Sequence, residues 1–466
     1  MAYTAKALLH KFGAQHPGTL EEYSELLAAT YVRSQVQIAL ANFGGTGHKL
    51  TAEEALDAFG ISTLLKVVRD GSVPLLRTAL EPSSTLRQRR EDLNVTVEAL
   101  ARQTGLPIDD IRKAETPGKV TPVRYLEKIA QKLGLDDRMI SFEPSADGDN
   151  DLGVRLRELA KGDSRRFTDA IVLALSEAAW VVSRQLFLSS KLGLQPHRIL
   201  SEEKSSNYNY PNWERGYELA ERTRYKLGLY NDEPIESLRM LIEDTLMIPL
   251  VQLELDEQFA GATISNGSDR GIVINERGLN INVCVRRMTM CHELGHLLWD
   301  PNENLNKLTV DEYENVENFS YSDHSDLPEI RANAFAVSFL APINAVRNIF
   351  RQTDNIEETV LKVANKFKIS ATAAKHHVCN VLHCDYERIA DIPIPAPLQE
   401  WLAQENLAID FFPFRTTPIS RRGRFAGLVA KAWTSGLVST DSAALMLECT
   451  PDEIERSVAT ILDCIP

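Results

Sequence analysis

Apolar residues recur every three to four positions along most of this chain, which is the spacing of helices that bury one face. The pattern is clearest over residues 19–40, 61–80, 85–135 and 152–194. Between residues 248 and 275, apolar and polar residues instead alternate in three short runs, and this alternation predicts β-strands. We therefore expect a mainly α-helical protein with one small β-sheet, an α+β fold.

Polar, acidic and proline-rich breaks separate these patterns. The chain has 466 residues, more than the roughly 250–300 that one hydrophobic core supports, so several domains are expected. The predicted regions are a helical N-terminal region (1–80), a four-helix region (81–145), a helical connector (152–205), a mixed region with the strands (210–385) and a helical C-terminal domain (392–466). The connector is expected to link domains or to support a homodimer.

Composition and charge limit the cellular compartments and the classes of partner that are expected for this protein. The net charge of −14 argues against a surface that binds nucleic acid everywhere, although one basic module could still do so. No apolar run approaches the roughly 20 residues that span a bilayer, and the N-terminus lacks the apolar core of a signal peptide. The six cysteines show no paired spacing, which is typical of reduced thiols. We expect a cytoplasmic protein without a membrane partner.

One short motif in the mixed region carries chemistry. His292 and His296 are four residues apart within a helical pattern, so both imidazoles project from one face and can hold the same zinc ion. Glu293 lies beside them, where it can take a proton from a water molecule at the metal. The alternative is a helix whose histidines have this spacing by chance. The preceding strands could offer an edge to an extended substrate backbone, which we state as a hypothesis.

A catalytic zinc site needs a third protein ligand and one open position. Residues 300–328 are acidic and irregular, and a new helical pattern of apolar and small residues begins at Glu329. A carboxylate at the edge of such a buried surface usually has a partner. From chemistry alone, Glu329 ranks first as the third ligand and His324 ranks second.

The mixed region resembles a known family over residues 212–385. It resembles the ImmA/IrrE-type metallopeptidases, a gluzincin-like family that carries His-Glu-Leu-Gly-His followed by a second motif. This chain has the first motif at residues 292–296 and also matches the second. The matching residues are Glu329, Ala332, Asn333, Phe335, Ala336, Leu340 and Pro342. The resemblance implies that His292, His296 and Glu329 are the zinc ligands and that Glu293 is the general base.

Hydrolysis through a tetrahedral oxyanion also needs a hydrogen-bond donor besides the metal. Four side chains are candidates, and the sequence does not rank them: Tyr321, His324, His376 and His377. For the adjacent pair His376 and His377, the alternative is a role as surface or core histidines.

The four-helix region resembles a second family. Residues 85–135 match the pattern of the Xre-type (lambda-repressor-like) helix-turn-helix at Leu86, Arg87, Arg90, Leu100, Ala101, Gly105, Ile111, Glu115 and Gly118. In that family the third helix lies in the major groove of DNA. If this region binds DNA, the contributing residues are expected to be Arg102, Arg112, Lys113, Lys119 and Arg124. However, Asp109 and Asp110 begin the third helix and would face phosphates, so a protein-docking or structural bundle is the open alternative.

The peptidase resemblance implies a regulatory zinc endopeptidase. Its expected substrate is a transcriptional repressor or antitoxin with a helix-turn-helix, cut in a response to stress, phage or a mobile element. The C-terminal domain resembles the helical tail of such peptidases and is expected to dock onto the catalytic region. One alternative is a DNA-binding regulator that uses the peptidase-like domain as a sensor without proteolysis. Another is a toxin–antitoxin or phage-defence component that acts by protein binding alone.

Overall fold

The computed structural model describes residues 4–43, 46–75, 80–138, 167–201, 212–230, 232–266, 269–300, 309–312, 327–393, 395–405, 412–413 and 416–463. Two of the predicted oxyanion donors, Tyr321 and His324, lie outside these residues.

Helices dominate the described chain, as predicted. In chain order they are α1 (Ala5–Phe12), α2 (Leu20–Ala28), α3 (Ala52–Asp70), α4 (Ser83–Asp92), α5 (Val97–Thr104), α6 (Ile108–Ala114), α7 (Val123–Lys132), α8 (Asp169–Lys191), α9 (Asn212–Lys226), α10 (Leu238–Met240), α11 (Val283–Trp299), α12 (Leu327–Leu340), α13 (Ile343–Thr353), α14 (Ile356–Phe367), α15 (Ala371–Leu382), α16 (Gln399–Glu405), α17 (Arg424–Thr434), α18 (Thr440–Met446) and α19 (Pro451–Asp463).

The strands form two small sheets. They are β1 (Tyr31–Arg33), β2 (Gln37–Leu40), β3 (His48–Leu50), β4 (Ser72–Pro74), β5 (Leu250–Leu253), β6 (Phe259–Asn266), β7 (Asp269–Asn275) and β8 (Thr309–Glu312). The first sheet has the order β3-β1-β2-β4 and the second the order β5-β7-β6-β8. The chain divides into unit 1, residues 1–195 with 408–466, and unit 2, residues 196–407.

The N-terminal part of unit 1 corrects one prediction. We expected helices throughout residues 1–80, but an antiparallel four-stranded sheet lies among α1, α2 and α3. Its strands are three or four residues long, too short to show alternation, and the apolar pattern of residues 19–40 runs across α2, β1 and β2. Tyr31 and Ile38 of the sheet join Phe59 and Leu64 of α3 in one buried cluster.

The four helices predicted for residues 85–135 are present as α4 to α7. Among the described residues of unit 1 the longest helix is α8, which is long and apolar enough to cross a membrane, but most of its side chains are buried in the protein. It also carries Glu177, which receives hydrogen bonds from Lys132 at 2.6 Å and Arg421 at 2.7 Å. Helix α8 is therefore the central core helix of unit 1.

The C-terminal helices α17 to α19 also belong to unit 1. Arg124 of α7 pairs with Asp441 of α18 at 3.0 Å, and the Nε2 atom of His48 in β3 lies 2.9 Å from the hydroxyl of Ser442. The predicted C-terminal domain is therefore divided: Glu405 of α16 pairs with Arg287 of α11, as expected for docking onto the catalytic region, whereas α17 to α19 contact the N-terminal part of the chain.

Unit 2 is built on the second sheet and the three helices α9, α11 and α12. Strand β6 pairs antiparallel with both β7 and β8, and β5 pairs parallel with β7. Helix α10 begins at Leu238, where the hydroxyl of Ser237 accepts a hydrogen bond from the backbone N–H of Met240. It continues through a π-helical turn, Leu241–Thr245.

Two glycines allow α12 to lie close to its neighbours. A Cβ atom on Gly295 of α11 would come within 2.9 Å of the Phe335 ring. On Gly216 of α9 it would lie 2.5 Å from the carbonyl oxygen of Arg331 and 2.9 Å from the backbone nitrogen of Phe335. These approaches let α12 pack closely on α9 and α11, and Glu329 lies in its first turn.

Candidate metal centre

The His-Glu-x-x-His motif lies in the middle of the buried helix α11. The side chain of Asn282 caps its start by accepting a hydrogen bond from the N–H of Cys284 at 2.9 Å. Each residue of the helix is buried, and α11 packs between the sheet and α12. A polar motif in such a place must find partners inside the protein.

His292, His296 and Glu329 come together at one point. Their facing atoms form a triangle: 3.0 Å between the two Nε2 atoms, 3.2 Å from His292 Nε2 to Glu329 Oε2, and 3.4 Å from His296 Nε2 to the same oxygen. Ligand atoms held about 2.0–2.1 Å from a tetrahedral zinc lie about 3.3 Å from each other. The donor types and their spacing therefore fit a zinc ion.

Other side chains orient both imidazoles. The Nδ1–H of His292 donates to the amide oxygen of Asn333 at 2.8 Å, and the Nδ1–H of His296 donates to Asp300 at 2.9 Å. Asp300 in turn accepts a hydrogen bond from Arg331. With the proton on Nδ1, each Nε2 lone pair faces the common point, which is the arrangement that metal-binding histidines need.

The sequence did not assign these supporting roles. Asp300 stands four residues after His296, so the helical spacing was an available signal. Asn333 was named in the family motif, and its place four residues after Glu329 puts both on one face of α12.

The carboxylate and the two imidazoles at this point shift each other's pKa. Burial alone would lower the pKa of His296, but the carboxylates of Glu329 and Asp300 outweigh it and raise that pKa well above its usual value. Burial alone would raise the pKa of Glu329, yet His296 and His292 together hold that pKa far below the ordinary range. Both shifts arise because a carboxylate faces two imidazoles in a largely buried space.

Strand β6 positions Glu293. The carboxylate is fully buried, and its Oε2 atom accepts a hydrogen bond from the hydroxyl of Thr263 at 2.6 Å. A Cβ atom on Gly261 would lie only 3.1 Å from the other carboxylate oxygen, so the glycine lets β6 approach the base closely. Sequence patterns gave no sign of either contact.

The two histidines of the pair on α15 have different surroundings. His377 is buried, with its Nε2–H donating to the carbonyl of Ala341 at 2.7 Å and its Nδ1 atom 3.0 Å from the hydroxyl of Tyr217. Burial lowers the pKa of His377 to about 4, although the bond to Ala341 opposes the shift. The half-buried ring of His376 stacks on Tyr386 with centroids 4.0 Å apart. For His377, these contacts support the alternative of a core histidine.

All five predicted DNA-contacting residues are exposed, namely Arg102, Arg112, Lys113, Lys119 and Arg124. Two of them have carboxylate partners: Arg112 pairs with Glu98 at 3.4 Å and with Asp109 at 3.8 Å, and Arg124 pairs with Asp441. Asp169 of α8 accepts hydrogen bonds from the backbone and hydroxyl of Thr96 at the start of α5. DNA binding by this region stays a prediction.

Two imidazoles and a carboxylate around one point, with a further glutamate next to the first histidine, form the kind of site found in zinc-dependent hydrolases. Residues 265–378, which contain all four side chains, match the family model described as the IrrE N-terminal-like domain, of the M78 peptidases. This match supports the peptidase part of the predicted resemblance. The match does not cover residues 85–135, so the helix-turn-helix resemblance stays a prediction. No curated protein matches the chain.

Proposed function

We propose that this protein is a zinc-dependent endopeptidase of the ImmA/IrrE type. The observation that carries the proposal is the triangle of His292, His296 and Glu329 at 3.0–3.4 Å. Its spacing fits one metal ion, and Glu293 follows the first ligand directly in sequence. A site that only sensed a metal would not need this additional carboxylate.

The roles of the side chains follow from their positions. When bound, zinc supplies a Lewis acid that polarises the scissile carbonyl and lowers the pKa of a water molecule. Glu293 accepts the proton from the attacking water and delivers it to the departing amine nitrogen. The hydroxyl of Thr263 fixes one carboxylate oxygen, which keeps the base in position during both transfers. Asn333 and Asp300 hold the imidazoles in the required tautomer.

We propose a regulatory role in which the substrate is a transcriptional repressor or an antitoxin. This proposal rests on the resemblance to the ImmA/IrrE family and on the family-model match to residues 265–378. Helices α4 to α7 would recognise the partner. The carboxylates of Asp109, Asp110 and Asp169 near the starts of α6 and α5 favour a protein surface over DNA phosphates at this place.

The experiment compares the wild-type protein with Glu293→Gln in cells that carry the native neighbouring genes. New protein N-termini are expected with the wild type and not with the variant, because glutamine cannot accept the proton. Glu257→Gln, at an exposed glutamate of unit 2, is the matched control and should behave as wild type. Identical proteomes for wild type and Glu293→Gln would contradict the proposal. If Glu293→Gln still fully regulated its target genes, a sensor without proteolysis would be favoured.

A further inference from the structure

Strand β6 runs directly beside the proposed base. Thr263 and Gly261 both lie against Glu293, with 2.6 Å from the Thr263 hydroxyl to Oε2 and 3.1 Å from a Cβ position at Gly261 to Oε1. Ala262, between them, points to the opposite face of the strand. A polypeptide paired with this part of β6 is therefore next to the carboxylate that acts in hydrolysis.

Both edges of β6 are already paired with strands of the same chain. Strand β7 takes one edge, and β8 lies antiparallel along the other as the outermost strand of the described sheet. The partners across β6 and β8 are Gly261 with Asp311, Ala262 with Val310, and Thr263 with Thr309. This corrects the hypothesis of an exposed edge, because β8 covers the backbone beside Glu293.

The pairing between β8 and β6 is short and interrupted. Its register with β6 is irregular between Phe259 and Gly261, and it spans four residues, whereas β7 continues for seven. An incoming extended segment could form the same backbone hydrogen bonds with β6 that β8 forms. The exchange would replace one ladder by another, as in other cases where a peptide adds a strand to a sheet.

We propose that β8 occupies, within the same chain, the edge of β6 along which an extended substrate segment would pair. The substrate is then an unfolded stretch of protein that displaces β8, and the metal centre has low activity while β8 is paired. This inference rests on the proposed function, since it concerns access to the same site.

The test weakens β8 and measures binding of two hydroxamates to the zinc-loaded full chain. Successive residues of a strand direct their N–H groups to opposite edges, so Val310→Pro with Asp311→Pro must remove one N–H that faces β6. The matched control, Val310→Thr with Asp311→Asn, keeps both N–H groups. A peptide hydroxamate needs the metal and the β6 edge, whereas acetohydroxamate needs the metal alone.

The proline variant should bind the peptide hydroxamate at least about tenfold more tightly than wild type does. The reason is that β8 no longer competes for β6, so a larger fraction of the molecules has this edge of β6 open. Its affinity for acetohydroxamate should be unchanged, which shows that the site is intact. Hydrogen exchange at the amides of residues 261–263 should become faster in the same variant. The threonine–asparagine control should match wild type in all three measurements.

A second variant is expected to act in the opposite direction. Directly opposed residues of antiparallel strands have Cα atoms about 4.5–5.5 Å apart, a separation that a disulfide can bridge. Ala262→Cys with Val310→Cys should, when oxidised, bind the peptide hydroxamate at least tenfold more weakly, and reduction should restore binding. The cross-link lies on the face of β6 away from Glu293.

The possible failures are distinguishable. Equal affinity of all variants for the peptide hydroxamate, with acetohydroxamate still bound, would overturn the role of β8 and leave the proposed function standing. Absence of acetohydroxamate binding in every form would contradict the metal centre, and with it both the proposed function and this inference.

Discussion

Each histidine of the metal centre is held by a side chain that does not itself face the metal. Asn333 accepts from His292, and Asp300 accepts from His296 while it also pairs with Arg331. These partners keep the two Nε2 atoms directed at one point without help from a bound ion. The site is therefore organised before the metal arrives, which favours tight binding.

Replacing Asp300 by alanine should weaken zinc binding by about 10- to 100-fold, because the ring of His296 loses the acceptor that fixes its orientation. Competition with a chelating dye measures the affinity. Asp256→Ala, at an exposed aspartate of unit 2, should bind zinc as wild type does. An Asp300→Ala protein with wild-type affinity would show that the ring is held in another way.

The buried His377 should make the metal-free protein sensitive to acid. Its pKa of about 4 lies below the ordinary 6.5, so the folded state favours the neutral ring. The resulting stability is complete above about pH 6.5 and is lost as the pH falls towards 4. At about pH 5 the loss should amount to about 2 kcal/mol of unfolding free energy.

Urea unfolding of metal-free wild type and His377→Gln at about pH 7.5 and about pH 5 tests this expectation. Glutamine can still donate to Ala341 and accept from Tyr217 but does not titrate. The variant should therefore lose less stability between the two pH values than wild type does. An equal loss in both proteins would mean that other groups cause the acid sensitivity.

Among single residues, the sequence could predict what depends on local spacing. His292, Glu293 and His296 follow from helical geometry, because four residues are about one turn. Glu329 is far from these three residues in the chain. Chemistry alone could therefore only rank it among the candidates for the third ligand, and the family motif then supported it. Thr263 reaches Glu293 across the packing of a strand on a helix, and no local pattern encodes such a contact.

At the scale of elements, the metal centre depends on how closely three helices pack. Helix α12 contacts both α9 and α11, and a glycine stands at each crossing. At Gly216 the nearest atoms are two backbone atoms of α12 and the Cβ of Ala334, none of which can move aside as the end of a flexible side chain could. The position of Glu329 thus depends on residues that never touch the metal.

Gly216→Ala should destabilise the protein by about 1–3 kcal/mol, because the added methyl group has no space. The sign is informative, since alanine normally stabilises a helix relative to glycine. Zinc affinity should also fall, because α12 must shift. Urea unfolding and zinc competition measure the two effects, and Glu221→Ala, at an exposed site of α9, should change stability by less than about 0.5 kcal/mol. A more stable Gly216→Ala protein would contradict the packing argument.

Elements were predictable where the apolar spacing is regular or where a family pattern covers them. The helices α4 to α7 and the strands β5 to β7 lie close to their predicted positions. The N-terminal strands β1 to β4 were missed because each has only three or four residues and joins a helical pattern. Strand β8 was missed because its pairing with β6, and not its own sequence, makes it a strand.

At the scale of the whole molecule, unit 1 is assembled from both ends of the chain. Arg421 is fully buried and pairs with Glu177 at 2.7 Å and Glu448 at 3.0 Å. Lys132 pairs with the same two carboxylates at 2.6 and 3.2 Å. Burial would raise the pKa of Glu177, but Arg421 and Lys132 together lower it, so this carboxyl is held ionised. Contacts between residues hundreds of positions apart could not be predicted from periodicity.

Arg421→Ala should destabilise unit 1 by about 3–5 kcal/mol, because it leaves buried carboxylates without a partner. Zinc affinity should stay as in wild type, since the metal centre belongs to unit 2. Arg456→Ala, at an exposed arginine of α19, is the control and should have little effect on stability. Thermal unfolding monitored by hydrogen exchange measures the stability of each unit separately. Loss of zinc binding in Arg421→Ala would contradict their separate roles.

The proposed function depends most on one zinc ion held by His292, His296 and Glu329. Anomalous diffraction at the zinc edge, on crystals of the zinc-loaded protein, tests this directly. The predicted result is a single peak about 2.0–2.2 Å from both Nε2 atoms and from a carboxylate oxygen of Glu329, with the fourth position open to solvent. A peak elsewhere, or one at the histidines with Glu329 turned away and no other protein ligand in its place, would contradict it.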